Sequence, residues 1–134
     1  MTGTVSGGVR TVLRLEGVCV LLSSLIAYSE FGAGWGVFAL FFLAPDLSLL
    51  AYLAGPRAGA LIYNTAHSYA GATLILASGI FFSAPLAITA GLIWISHIGF
   101  DRALGYGLKY SIGFRFTHLG VIGRDPDNSQ IKTK

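Results

Sequence analysis

Four long apolar runs organise the chain: Val12 to Tyr28, Gly34 to Ala54, Ala58 to Phe82 and Pro85 to Gly105, with only "SEFGA", "GPR" and "SA" between them. Each has the length that a helix rising about 1.5 Å per residue needs to cross a bilayer core about 30 Å thick. Segments such as "WGVFALFFLA" and "ATLILASGIFF" are continuously apolar, whereas membrane-barrel strands would alternate apolar and polar positions over about ten residues. The punctuation is helical too. Gly55-Pro56 closes one run and opens the next, and Pro85 suits a first helical turn. The pattern predicts an all-α membrane protein of one domain. The expected architecture is a four-transmembrane-helix bundle spanning about 12–28, 34–54, 58–82 and 85–105, with a flexible leader (1–11), a basic interfacial segment (106–123) and a disordered tail (124–134).

Composition strengthens this reading, since 54% of residues are hydrophobic, only 11% are charged and the mean hydropathy is +0.69; soluble domains carry about a quarter charged residues. A cleaved signal peptide is disfavoured for the first run, because Glu16 interrupts its start and "AYSEFGAGW" makes a poor cleavage site. The lone Cys19 has no internal disulfide partner and is expected to pack.

Charge orients the bundle. Arg10 and Arg14 precede the first run, Arg57 lies between the second and third, and Arg102, Lys109, Arg115, Arg124, Lys132 and Lys134 cluster at or after the end of the fourth. The positive-inside rule then places both termini in the cytoplasm and the chain in the cytoplasmic (inner) membrane. The expected partner is the bilayer, with anionic lipid head groups at its cytoplasmic face, and the pI of about 9.2 needs no nucleic acid to explain it. Aromatic residues fall near both expected boundaries, Trp35 and Phe81 outside, Tyr52 and Tyr106 inside.

The runs are not wholly apolar, and their polar positions supply the candidate chemistry. Glu16 lies in the first, Asp46 behind Pro45 in the second, Tyr63, Asn64 and His67 in the third, and His97 and Asp101 in the fourth. At 1.5 Å per residue from the cytoplasmic ends, Asp46, His67 and His97 sit about 12 to 15 Å deep, with Glu16, Asn64 and Asp101 shallower at about 6 to 10 Å. Spacings of three and four put Tyr63, Asn64 and His67 on one helix side, and Trp94, His97 and Asp101 on another. Trp94 is expected to pack inward over the polar group, and Pro45 to kink its helix. A central Asp costs about 2.5 to 3.5 kcal/mol on insertion, which the surrounding Leu, Val and Phe offset.

Three uses compete for these residues. Asp46, His67 and His97, with Asp101 or Glu16 as a further ligand, suit a divalent metal, zinc or iron; Asp101 or Glu16 is alternatively the general base for metal-assisted chemistry on a lipid-like substrate. The same groups suit a proton or ion path, for which the bare outer half would call for a homo-oligomer. Plain helix-to-helix hydrogen bonding is the third. After the fourth run, Tyr106, Tyr110, Phe114 and Phe116 are expected to anchor at the interface, with Lys109 and Arg115 facing lipid phosphates and His118 exposed.

"LRLEG" (Leu13 to Gly17), "FLAPDLSLLAYLAGPRAGALIYNTAHSY" (Phe42 to Tyr69), "GLIWISHIGFDRALGYGLKY" (Gly91 to Tyr110) and "THLG" (Thr117 to Gly120) together resemble the small bacterial and archaeal membrane proteins of the domain of unknown function 4260 family. The resemblance covers about Val12 to Gly123 and implies a polytopic, single-domain membrane protein with no established activity. The family pattern matches here at Glu16, Asp46, Tyr63, Asn64, His67, His97, Asp101, Arg102, Lys109 and His118. Phe116 and Val121 depart from it, where the family more often has an acidic and a basic residue.

Overall fold

The computed structural model describes residues 5, 7–109 and 116–122. Its helices are α1 (Gly7–Phe31), α2 (Trp35–Phe41), a 3-10 helix (Ala44–Ala54), α3 (Pro56–His67), α4 (Tyr69–Phe81) and α5 (Pro85–Leu104). Two short strands follow, β1 (Phe116–Thr117) and β2 (Gly120–Val121), paired antiparallel. The four apolar runs are therefore four rods, two of them compound. Gly7–Phe31 and Trp35–Ala54 are long and apolar enough to cross a membrane. The third rod is broken at Ser68, and neither α3 nor α4, at 12 and 13 residues, would span about 30 Å alone.

Each break has a local cause. Pro45 has no N–H to donate, and the Asp46 amide reaches back only three residues, to the Leu43 carbonyl at 3.0 Å, so the second rod changes to the tighter 3-10 winding instead of merely kinking. At about 2.0 Å rise per residue, Asp46 stands about 18 Å along the rod from Gly55, farther than the 13 Å expected of an α-helix. At the third-rod break, Ser68 is extended (φ −88°, ψ 142°) and its hydroxyl accepts from the Ala70 amide, capping α4. Two of the carbonyls near the break have side-chain donors. Trp94 Nε1 donates to Ala66 O, and Arg102 Nη2 donates to His67 O at 3.0 Å.

Packing divides the molecule into two parts. In the first, α5 lies between α1 and α4. Gly17 faces Arg102 and Ala103, Gly99 faces Leu21, and Ser96 donates to Ser24 at 2.7 Å, so α1 and α5 run antiparallel at very close approach. A Cβ at Gly99 would stand 2.9 Å from the Leu21 main-chain nitrogen, and one at Gly17 2.6 Å from Arg102 Cβ. This is the small-residue packing by which helices associate where no hydrophobic effect drives them together. In the second part the 3-10 helix folds back on α3, through the Gly55 turn at φ +118°. Aromatic contacts join the parts: Tyr28 against Trp35 and Phe38, and Phe42 against His97 and Phe100. Cys19, expected to pack, is exposed on α1.

Gly105, in the left-handed region at φ +89°, ends α5, and the Tyr106 amide reaches back to the Asp101 carbonyl at 2.8 Å. The turn carries Gly107 to Lys109 back over the end of α3. There Asn64 clasps Lys109, its Nδ2 donating to Lys109 O at 2.7 Å and its Oδ1 accepting the Lys109 amide at 2.6 Å. Lys109 also bridges to Thr117, and the Val5 amide donates to His118 O at 2.9 Å, so the strap ties both ends of the described chain together.

Candidate metal centre

Three of the four rods send side chains to one point. His67 Nε2 lies 3.1 Å from Asp46 Oδ1, 3.1 Å from His97 Nε2 and 3.4 Å from Asp101 Oδ2. His97 Nε2 lies 3.1 Å from Asp46 Oδ1 and 3.3 Å from Asp101 Oδ2. All four atoms fall within 4.8 Å of one another. His67 and His97 are buried, Asp101 is 14% exposed and Asp46, at 39%, is the most accessible.

The far side of each imidazole is already committed. His67 Nδ1 donates to Tyr63 O at 3.0 Å, and His97 Nδ1 to Phe42 O at 2.8 Å. A neutral imidazole with its proton on Nδ1 carries its lone pair on Nε2. Two lone pairs and two carboxylate oxygens thus point at each other, an arrangement of four acceptors that only a cation satisfies, a proton or a metal ion. Outward hydrogen bonds of this kind are what fix ring orientation in metal-binding histidines. Size agrees as well. Tetrahedral zinc with ligands at about 2.0 to 2.1 Å has ligand-to-ligand edges of about 3.3 to 3.4 Å, and the five separations that involve a histidine, 3.1 to 3.4 Å, are close to that.

Around the centre, Tyr63 stacks on His67 with ring centroids 3.8 Å apart, and Lys109 Nζ sits 4.7 Å from the Tyr63 ring centroid. Lys109 is buried, not turned to lipid phosphates, and burial lowers its pKa to about 8 against the support of Asp101 and Asp46. His118, expected at an exposed interface, is half-buried. Its Nδ1 accepts the Leu108 amide at 2.9 Å, and its Nε2 lies 2.9 Å from Arg102 Nη1. Neutral imidazole has one lone pair, so it accepts from one of these two donors at a time. Burial and the Arg102 charge both push its pKa below the usual histidine value.

The structure brings Asp46, His67 and His97 into direct contact. Asp101, expected shallower, lies in the same cluster, its Oδ2 3.4 Å from His67 Nε2 and 3.3 Å from His97 Nε2. Glu16 is exposed on α1 and stays outside the convergence. Trp94 does pack inward, its indole against Gly71. Two participants escaped the sequence reading because they act through the main chain: the carbonyls of Phe42 and Tyr63. Tyr106 is exposed as an interfacial anchor would be. Tyr110, Phe114 and Arg115 lie outside the described residues, as do positions 1–4 and 6 of the leader and all of the 124–134 tail, and the Phe116 side chain is likewise not described.

A family model described as a domain of unknown function, DUF4260, matches residues 10–122. The chain belongs to the DUF4260 family. No curated protein and no solved structure matches it. The matched span takes in Asp46, His67, His97 and Asp101 with Asn64, Arg102, Lys109 and His118, so this DUF4260 protein carries its whole centre inside the family domain.

Proposed function

We propose that this DUF4260 protein is a four-span protein of the cytoplasmic membrane that holds a divalent transition metal, zinc or iron, between Asp46, His67, His97 and Asp101. The observation that carries the reading is the convergence of four acceptor atoms whose imidazoles already donate outward. Charge supports it, because two carboxylates and two neutral imidazoles around a divalent ion sum to zero, the least costly state in a low-dielectric interior. The membrane setting is supported by the two span-length rods and by large exposed side chains such as Leu40, Leu53, Phe81 and Leu86. Both termini are assigned to the cytoplasm, with the basic residues other than Arg102 and the buried Lys109 beside anionic head groups.

A metal held by Asp46, His67, His97 and Asp101 would supply a Lewis acid for an oxygen of a lipid-like substrate. Asp46, the most accessible of the four, would be the residue to give way to that substrate. Asp101 then serves as a ligand and Glu16 has no part in the centre.

The test is elemental analysis of protein purified in mild detergent with a non-histidine tag, beside His67→Ala/His97→Ala. Near-stoichiometric zinc or iron in the parent, absent from a variant with the same helical circular dichroism, is expected. Metal-free parent after reconstitution with both ions would overturn the reading. A second reading, proton handling by a metal-free or oligomeric protein, is favoured by one feature, the 3.1 Å approach of the two Nε2 atoms, which equally suits a shared proton. Proton flux into liposomes carrying metal-free protein, lost in Asp46→Asn, would support it.

A further inference from the structure

The three histidines face opposite kinds of partner. His67 and His97 each turn Nδ1 to a carbonyl and Nε2 to a carboxylate, so a positive charge suits both edges of either ring. His118, in the turn between β1 and β2, turns both nitrogens to donors: the Leu108 amide at Nδ1 and Arg102 Nη1 at Nε2, each at 2.9 Å. Neither donor can become an acceptor, since an amide keeps its N–H and a guanidinium stays charged. A neutral ring satisfies one of the two. A protonated ring satisfies neither and sets its own charge against that of Arg102. The ring also lies close on the main chain, because a Cβ at Gly107 would stand 2.5 Å from His118 Nδ1.

Other charged and titratable groups do not offset the conflict. Arg102, on α5, overlies the Tyr69 ring of α4 at 5.7 Å, and Arg10 of α1 donates to the adjoining Leu119 carbonyl. Lys109 bridges to Thr117 and holds its Nζ by Tyr63. Among the described residues no carboxylate pairs with His118; that of Asp101 turns to His67 and His97. The ring is nonetheless a fastening point. Through it the hairpin and Leu108 are tied to Arg102, whose Nη2 holds the His67 carbonyl at 3.0 Å.

We propose that His118 is an acid-sensitive latch: neutral, it fastens the β1–β2 hairpin and Leu108 to Arg102; protonated, it releases them and loosens the hold of Arg102 on the His67 carbonyl. The effect on the centre rests on the metal-centre reading, and the latch itself does not. Burial and the Arg102 charge lower the pKa of the latched ring, so the released ring binds the extra proton. The latch is therefore at full strength above the ordinary histidine value of about 6.5 and weakens as pH falls below it, by at most tenfold per pH unit for one proton.

Hydrogen exchange of the full chain in detergent, read on peptides carrying the Leu108 amide and corrected for intrinsic rates with an unstructured peptide, tests this. Protection of Leu108 should be level above about pH 7 and fall by up to tenfold per unit below about 6.5, while amides in the middle of α5 stay protected. His118→Gln, whose side chain takes no charge, should abolish the fall. Level protection in the parent, or an equal fall in His118→Gln, would overturn the latch. If His118→Gln leaves Leu108 unprotected at every pH, Arg102→Gln decides: without the facing charge the fall should shrink, and an undiminished fall would overturn the latch. Zinc release to a chelator, followed on the same samples, should quicken below about pH 6.5 more in the parent than in His118→Gln. Equal release beside pH-dependent protection would cut the link to the centre alone, and a parent without metal would sink the centre while the latch stands on its exchange data.

Discussion

The two packed parts of this protein are held by different physics. Between α1 and α5 the contacts are backbone against glycine, with Gly17 and Gly99 allowing approaches that no side chain could share. The 3-10 helix and α3 meet α5 through long side chains, the Phe42 ring and the four residues of the centre. The first is a frame that tolerates no added volume. The second is an arm that meets the frame through side chains, the Phe42 ring, the Trp94 and Arg102 hydrogen bonds and the cluster of two histidines and two aspartates. Such a division teaches that removing the chemistry should loosen the arm without dissolving the frame.

The sharpest way to break the comparison is to damage the frame. Gly99→Leu pushes side-chain atoms into the Leu21 backbone and should cost on the order of 3 kcal/mol, seen as aggregation or a large fall in melting temperature that added zinc does not restore. Asp46→Ala should do the reverse, abolishing bound metal while the metal-free melting temperature stays near that of metal-free parent; a collapse equal to that of Gly99→Leu would end the distinction. Arg102→Lys should fall between, weakening metal binding about 10- to 100-fold, because it loosens the donor that holds the His67 carbonyl. That figure is read by competition with a chelator.

Smaller effects sharpen the picture. Lys109 has a folded pKa of about 8, below its unfolded value of 10.5. The unfolded chain therefore holds the extra proton between those values, and stability should rise as pH increases from about 8 toward 10.5. Lys109→Met should flatten that rise in a thermal scan. Last, Ser96→Ala removes the Ser24 bond inside the frame and should cost only about 0.6 kcal/mol, as typical membrane interhelical hydrogen bonds do.

Much of this was legible from the chain alone. The four rods follow from apolar length, and Asp46, His67 and His97 from the rarity of charge inside such rods. The break at Ser68 was hidden because "NTAHSYAGAT" has no proline, and its cause is tertiary: Trp94 and Arg102 take up the released carbonyls. The contact of Asp101 with both histidines was hidden because a ruler laid along one helix ignores how far a side chain reaches. Lys109 was read as lipid-facing because nothing in "GYGLKY" signals that Gly105 turns the chain back onto Asn64.

The acceptors that orient both imidazoles are main-chain atoms of residues 42 and 63. No codon change at either position deletes them, so mutation can retune this centre far more readily through its two carboxylates than through its histidine tautomers. Lineages that shifted their metal preference would therefore carry the record of it at positions 46 and 101, with both histidines and their poses left as they were.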